Sequence, residues 1–196
     1  QKYEGNPVLR PETELEINKV RVAPARQGEP GASAAVPKSG GVWWIPEAGH
    51  FKMWYEAGWL NTIAMATSKD GIHWERPVFD IRPGTNQVLP QDLTADSWTV
   101  VPNWDSSNPE EKYTLFVCAP GSDQPGTSLT SPDGIHWSKR VETGVTGDRS
   151  GHFYNPFRKK WIYSLRTMFP GRGRARHYYE CDDFLKEAKW SAADKR

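Results

Sequence analysis

Cysteine is scarce in this sequence, which has only Cys118 and Cys181 among 196 residues. Two cysteines are too few for a disulfide framework, and they lack the close spacing of paired zinc ligands. They form one bridge or none, and the apolar run around Cys118 favours a buried free thiol. The sequence also has no Gly-rich phosphate loop, no Gly-x-Ser-x-Gly segment and no His-Glu-x-x-His segment, which argues against serine and zinc hydrolases. We therefore predict no metal site and no cofactor.

Long apolar runs and a surplus of one charge are missing too. No segment approaches the roughly 20 consecutive apolar residues that span a bilayer, so we expect no membrane partner. With 25 Lys and Arg against 24 Asp and Glu, the net charge is +1, and a chain without a basic surplus is a poor nucleic-acid binder. The chain starts at Gln1 and shows no signal-peptide pattern. We expect a processed terminus and a periplasmic or extracellular location, with a trimmed cytosolic protein as the alternative.

Tryptophan, glycine and proline, by contrast, are abundant. The chain has 10 Trp beside 7 Tyr and 7 Phe, and it has 17 Gly and 16 Pro, while hydrophobic residues make up 37% of it. This composition predicts many short β-strands that are joined by turns.

The chain contains an internal repeat. Segment 67–74 reads Thr-Ser-Lys-Asp-Gly-Ile-His-Trp, and segment 130–137 matches it at seven of eight positions. Chance does not produce such a match. Strand-like segments precede both copies: 41–45 and 50–55 before the first, and 98–101 and 112–117 before the second.

A weaker third copy follows. Residues 151–154, 160–165 and 176–179 fit its strands, and 180–184 with Trp190 stand in place of the octapeptide. Repeated four-stranded antiparallel units are typical of β-propeller blades. We therefore predict an all-β fold, a β-propeller of four-stranded antiparallel blades within one domain. Its parts are a leader and closing-strand region (1–40) and three blades (41–95, 96–147 and 148–196).

The two octapeptides are interpreted as structural turns rather than catalytic motifs. In each copy we expect the Asp to accept hydrogen bonds from amides of its own turn and the Gly to adopt φ > 0. The His is expected to face solvent and the Trp to pack between blades. These residues are Asp70, Gly71, His73 and Trp74 in the first copy, and Asp133, Gly134, His136 and Trp137 in the second.

At these segments the chain resembles the five-bladed β-propeller glycoside hydrolases, the group that includes families 32, 43, 68 and 117. The resemblance is carried by Phe-Lys-Met-Trp-Tyr at 51–55, by Ala66 with the first octapeptide, and by Tyr-Asn-Pro-Phe-Arg-Lys-Lys-Trp at 154–161. It is greatest to uncharacterised bacterial glycosyl hydrolases. It implies five blades, of which this chain holds the N-terminal three. The remaining blades are expected from a C-terminal fragment, a second chain or self-association.

The resemblance also implies a glycosidase that acts on a plant or algal polysaccharide or oligosaccharide. Such enzymes generally use two carboxyl groups for acid/base hydrolysis, here placed where the first strands of successive blades begin. Asp96 and Asp148 occupy that place in the second and third units, where a turn-forming role is the alternative. The first unit has no acid there, so Glu29 is the nearest candidate. Glu56 and Glu180 stay open as further candidates.

Arginine and tryptophan side chains are the predicted substrate-binding groups. Arg149, Arg166 and Arg174 are expected to bind an anionic sugar, such as a uronate or a sulfated residue, or to hold the catalytic carboxylates. A solvated loop is the alternative for them. Trp59 and Trp98 are expected to stack on sugar rings, so carbohydrate is the predicted partner. A catalytically inert carbohydrate-binding propeller and a fragment that assembles with another chain stay open as other functions.

Overall fold

The computed structural model describes residues 2–23, 31–121 and 123–194. They form two compact units, one up to Thr94 and one from Ala95 onward, called unit one and unit two below. The described residues contain eleven β-strands, a 3₁₀ turn at Pro109–Glu111 and no α-helix. The strands are β1 (Ala35–Val36), β2 (Val42–Ile45), β3 (His50–Ala57), β4 (Thr62–Ser68), β5 (Ser97–Pro102), β6 (Tyr113–Cys118), β7 (Gln124–Ser131), β8 (Arg140–Thr146), β9 (Gly151–Asn155), β10 (Lys160–Phe169) and β11 (Gly173–Cys181).

Unit one contains a single antiparallel sheet, sheet A, with β3 at its centre. One edge of β3 pairs with β4 along its length. The other edge is shared, because β2 pairs with residues 50–53 of β3 and the short β1 pairs with Glu56 and Ala57. Beyond β4, isolated bridges join Ala64 to Gln87 and Thr67 to Glu75. The outer position of sheet A is therefore occupied at two separate points rather than by a continuous strand.

The N-terminal segment packs onto sheet A. Leu9 and Leu15 are buried with Met53 and Tyr55 in one apolar cluster, which removes their side chains from water. The buried amide of Asn61 joins the segment to the turn after β3, because its Nδ2 donates to the carbonyls of Leu15 and Val20, 3.2 and 3.0 Å away. The N-terminal segment is thus part of the fold of unit one.

Unit two contains two antiparallel sheets. Sheet B has the order β5-β6-β7-β8, and sheet C has the order β9-β10-β11. All residues of β5 and β6 are buried, which is typical of strands covered on both faces. The fold is all-β and β-propeller-like, with antiparallel sheets of up to four strands, and this confirms the predicted fold class.

Aromatic side chains hold sheets B and C together. The rings of Phe116 and Tyr163 meet edge-to-face with centroids 5.1 Å apart, a favoured geometry for aromatic pairs. The Tyr163 hydroxyl donates to the carbonyl of Phe184 at 2.8 Å and lies 2.9 Å from Ser128 Oγ. Trp190 packs on Tyr163 at 4.7 Å. Part of the large set of aromatic residues is thus used in the packing between sheets B and C.

The aspartate, glycine and histidine of the octapeptide turns have the predicted geometry in both units. Oδ1 of Asp133 accepts hydrogen bonds from the amides of Ile135 and His136, at 2.7 and 2.8 Å. Oδ1 of Asp70 accepts from the amides of Ile72 and His73 at 2.8 Å each. The two glycines have φ of +76° and +80°, a region that only glycine adopts without cost. His73 and His136 are exposed, with Nδ1 at 2.7 and 2.6 Å from the aspartate of their own turn. Trp74 packs against the apolar cluster of unit one.

Removing the turn carboxylate is expected to destabilise unit two. Asp133→Ala leaves the amides of Ile135 and His136 without an acceptor, so we expect the free energy of unfolding to fall by about 1–2 kcal/mol at pH 7. Burial raises the pKa of the Asp133 carboxyl, but hydrogen bonds from His136 and Ile135 outweigh it and hold the pKa below its usual range. The stabilisation is therefore complete above the unfolded-state pKa of about 4 and is lost as the pH falls through the lower folded-state pKa.

Urea unfolding of both proteins between about pH 7 and pH 2 measures this effect. The difference between wild type and Asp133→Ala is expected to shrink across the acidic range. Equal unfolding midpoints at pH 7 would show that this carboxylate does not stabilise the turn.

Candidate functional site

The candidate site is built on a tight turn at residues 147–150, directly before β9. The hydroxyl of Ser150 donates to the carbonyl of Gly147 at 2.7 Å and accepts from the amide of Arg166 at 2.9 Å. A Cβ atom on Gly147 would lie 2.5 Å from the Arg166 carbonyl oxygen, so glycine is required for the turn to approach β10 this closely. Arg149 has a φ of +62°, which costs a non-glycine residue free energy and is frequent at functional sites.

Asp148 lies at the tip of this turn between two guanidinium groups. Its Oδ1 is 3.5 Å from Arg149 Nε, and its Oδ2 is 3.5 Å from Arg174 Nη2. The Asp148 side chain is 33% exposed, so the carboxylate is reachable from solvent. The structure therefore brings together Asp148, Arg149 and Arg174.

Arg166 lies beside the same turn. Arg166 and Met168 lie on the same face of β10. In the pairing with β11, Arg176 is opposite Arg166 and Arg174 is opposite Met168. Arg166 Nε is buried and has no hydrogen-bond partner among the described residues. A buried N–H donor is normally paired, so this guanidinium has a capacity for an acceptor that the described chain does not supply.

Asp96 lies directly before β5 and is only 9% exposed. Its amide donates to the carbonyl of Cys118 at 2.9 Å. Burial raises the pKa of the Cys118 thiol to about 11, and the charge of Asp96 adds to this rise. The thiol thus stays protonated at neutral pH and is not a nucleophile.

A hydrogen bond connects the turn that carries Asp148 to the strand that follows Asp96. The amide of Arg149 donates to Ser97 Oγ at 3.1 Å, and Ser97 is buried. The start of β5 and the turn before β9 are therefore neighbours, and both candidate aspartates belong to this one end of unit two. Sequence reasoning missed Ser97 and Ser150, and the only available signal was that each follows a candidate acid by one or two positions.

The two tryptophans differ in their accessibility. Trp98 is 1% exposed, so in this arrangement its ring packs inside unit two and offers no face to a sugar. Trp59, in unit one, is half-buried, and the Lys38 ammonium lies 5.5 Å from its ring centroid. Glu29 lies outside the described residues.

The two further acids have different surroundings. Glu56, in unit one, forms an ion pair with Lys38 at 2.8 Å, and the side chains of Lys38 and Glu56 are 7% and 3% exposed. The other carboxylate oxygen, Oε2, is buried and has no hydrogen-bond partner among the described residues. Glu180 lies near the C-terminal end of β11, where it pairs with Arg158 at 2.8 Å and accepts from the Tyr178 hydroxyl. Glu180 is therefore bound at the edge of sheet C, and Glu56 keeps the larger unused hydrogen-bonding capacity of the two.

Metal-ligand clusters and membrane-spanning helices do not occur in the part of the chain that the structure describes. It contains no group of three or more His, Cys, Asp or Glu side chains that could hold a metal ion. Within 2–23, 31–121 and 123–194, no helix has the length and hydropathy needed to cross a membrane.

Comparison with known proteins supports the fold at low sequence identity. No protein-family model matches the chain, and no curated protein matches it. Among solved structures, the α-L-arabinofuranosidase from Podospora anserina in complex with cellotriose aligns with a TM-score of 0.52 and 12% identity, over 82% of this chain and 54% of that chain. An N-acetylgalactosamine deacetylase from F. plautii, in complex with blood group B trisaccharide, aligns with a TM-score of 0.47 and 16% identity, over 72% and 48%. The chain thus spans about half the length of these structures, and at such identities the likeness concerns the fold alone.

Proposed function

We propose that this chain is part of a carbohydrate-active hydrolase that cleaves glycosidic bonds, with Asp96 and Asp148 as the reacting carboxyl groups. One observation carries the proposal. The two aspartates precede corresponding first strands, β5 and β9, and the Arg149–Ser97 hydrogen bond joins those two strand starts. Acid/base glycoside hydrolysis requires two carboxyl groups on either side of the scissile bond, and this end of unit two supplies a pair.

The fold likeness to an α-L-arabinofuranosidase supports a carbohydrate substrate, which we propose to be a plant or algal polysaccharide or oligosaccharide. The arginines support an anionic sugar in the subsite beside Asp148. Two guanidinium groups flank this carboxylate, and the buried Nε of Arg166 has no partner among the described residues. Guanidinium groups bind carboxylate and sulfate oxygens in pairs.

We also propose a location for the protein and a source for the blades that complete its fold. A polymeric substrate lies outside the cell, which favours a periplasmic or extracellular location. Among the described residues β11 pairs with β10 only, which leaves an edge for a further strand. We propose that additional blades, from a C-terminal fragment, a second chain or self-association, cover this edge, since exposed strand edges tend to pair.

The experiment is a reducing-end assay of the wild type on matched neutral and anionic polymers: arabinan, arabinoxylan, polygalacturonate, alginate and carrageenan. Cleavage of at least one polymer by the wild type, and none by the Asp96→Asn/Asp148→Asn variant, is expected. Arg166→Ala and Arg174→Ala should lower activity on anionic polymers more than on neutral ones. Binding of a polymer without cleavage would instead favour an inert carbohydrate-binding propeller, and cleavage that persists in the double variant would overturn the assignment of the acids.

A further inference from the structure

A cavity lies at the end of the two sheets of unit two that is opposite to the candidate aspartates. It has a volume of about 210 Å³ and is lined by residues from both sheet B and sheet C, among them Asn103 and Tyr154. Asn103 follows the last residue of β5, and Tyr154 lies near the end of β9. The candidate aspartates, Asp96 and Asp148, instead precede these two strands. The extended strand β5 separates Asp96 from Asn103, so the cavity is about 20 Å from the candidate acids.

One wall of the cavity is aromatic. Tyr154 packs on Trp161 with ring centroids 5.1 Å apart, and Trp161 packs on Phe184 at 5.2 Å. Trp161 and Phe184 are each 4% exposed, so the half-buried ring of Tyr154 packs on a buried ring that is itself packed on Phe184. A rigid aromatic ring beside polar groups is the type of surface on which the C–H face of a sugar ring stacks.

Among the described residues that line the cavity, Thr130 has a hydroxyl group without a hydrogen-bond partner. Thr130 is 2% exposed and lines the cavity, and its Oγ1 has no hydrogen-bond partner among the described residues. A buried hydroxyl that forms no hydrogen bond destabilises the folded state. Its place in the lining of an open polar cavity indicates a ligand that supplies the missing hydrogen bond.

The rim carries carboxylates whose charge is mostly compensated. Glu111, Asp182 and Asp183 form ion pairs with Lys139, Lys160 and Lys186 at 2.6, 2.5 and 2.7 Å. Asp105 Oδ2 accepts a hydrogen bond from the Tyr154 hydroxyl at 2.8 Å, and Lys159 also lines the cavity. Lys139, Lys160 and Lys186 lie outside the lining. Counted together with Lys159, they give four lysines that balance the four acids, which favours a neutral ligand over an ion.

We propose that this cavity, called the inter-sheet pocket, binds one neutral sugar ring, stacked on Tyr154 and hydrogen-bonded to Asp105 and Thr130. Its volume is below the roughly 300–1,000 Å³ of pockets that enclose drug-sized ligands, so it has room for a single ring. A sugar supplies alternating hydroxyl donors and acceptors around an apolar face, which matches a wall of this composition. The site takes no part in bond cleavage, and it would add affinity for a polymer that also reaches the candidate acids.

Titration of the ¹⁵N-labelled full chain with glucose, galactose, mannose, xylose and arabinose, followed by ¹H–¹⁵N NMR, tests the proposal. At least one sugar is expected to shift the amide signals of Thr130, Tyr154 and Asp105 with a Kd of about 1 mM, because a single ring has few atoms with which to bind. Thr130→Val is expected to raise the Kd for that sugar about tenfold, since it removes one hydrogen bond at constant side-chain size.

Thr130→Val has a matched control in Thr99→Val. Thr99 is also a buried threonine of sheet B whose Oγ1 has no partner among the described residues, but it does not line the pocket. Both variants should fold and raise the melting temperature by about 2–5 °C, because each replaces an unpaired buried hydroxyl by a methyl group. Only Thr130→Val should weaken sugar binding.

The Asp96→Asn/Asp148→Asn variant separates this site from the proposed hydrolase. It should bind the sugar like the wild type, whether or not the wild type cleaves any polymer. The proposal is overturned if no sugar shifts the pocket signals, if Thr130→Val binds as well as the wild type, or if n-butylammonium shifts these signals and the sugars do not.

Discussion

Asp148→Asn is expected to lower kcat on the cleaved polysaccharide by about 10²–10⁴-fold, the range for loss of a general acid or base. Asparagine has the shape of aspartate, but it keeps an acceptor oxygen for only one of the two neighbouring arginines, and it cannot exchange a proton at neutral pH. KM should therefore change much less than kcat. Asp96→Asn is expected to act in the same way, and the double variant should be little worse than either single variant, because groups that act in one step are not additive.

The control for this prediction is Glu142→Gln. Glu142 lies on the outer strand β8 and is exposed, so the substitution changes the net charge equally without approaching the turn at 147–150. Its kcat should equal that of the wild type. The Asp148 ion pairs are long and partly exposed, and such pairs contribute little to stability, so Asp148→Asn should keep the wild-type melting temperature. Wild-type kcat in either Asp148→Asn or Asp96→Asn would remove that residue from the mechanism.

The repeat made most of the fold predictable from the sequence. The segment expected at 41–45 is β2 at Val42–Ile45, and the one expected at 151–154 is β9 at Gly151–Asn155. Each octapeptide forms its turn through contacts within a few residues, so a local pattern was sufficient. The lengths of β10 and β11 were underestimated, because the glycines and arginines between 166 and 175 are typical of a loop. In the structure, pairing continues to Phe169 and Gly173, and Gly171 and Gly173, with φ of +74° and +80°, form only the tip.

The candidate site was predictable in its residue types but not in its surroundings. An acid before each first strand can be found from the repeat, and a group of arginines is visible in the sequence. Trp98 is buried because it packs against residues far away in the chain, and a local sequence pattern cannot predict such packing. The same holds for the Arg149–Ser97 hydrogen bond, which joins residues 52 positions apart, and for the inter-sheet pocket, which requires both sheets.

Glu16→Ala is expected to lower the free energy of unfolding of unit one by about 3–5 kcal/mol, the range for removing one partner of a buried ion pair. Glu16 is fully buried. Its Oε1 accepts hydrogen bonds from the Tyr55 hydroxyl at 2.5 Å and from Arg76 Nε at 2.7 Å, and its Oε2 accepts from the amides of Glu12 and Thr13 at 2.7 and 2.9 Å. Alanine would leave four donors without this acceptor and would release the N-terminal segment from β3.

The pH dependence of this network follows from the same contacts. Burial raises the pKa of the Glu16 carboxyl, but the hydrogen bonds from Arg76, Thr13 and Tyr55 outweigh it and hold the pKa below its usual range. The contribution of Glu16 is therefore complete above the unfolded-state pKa of about 4.3 and is lost as the pH falls through the lower folded-state pKa. Unfolding of the wild type by urea should become easier on acidification, while Glu16→Ala should lose less stability over the same range.

Glu14→Ala is the matched control for Glu16→Ala, since it removes the same side chain two residues away. Glu14 pairs with Lys19 at 2.6 Å, but the side chains of Glu14 and Lys19 are 59% and 68% exposed, and exposed pairs contribute about 0–1 kcal/mol. The free energy of unfolding of Tyr55→Phe should lie between those of Glu14→Ala and Glu16→Ala. This substitution removes one donor to Glu16 and also the hydroxyl that accepts from Asn86 at 2.7 Å. Equal unfolding free energies for Glu14→Ala and Glu16→Ala would mean that the buried carboxylate does not hold the N-terminal segment on sheet A. That segment would then be retained by the burial of Leu9 and Leu15 and by the hydrogen bonds from Asn61.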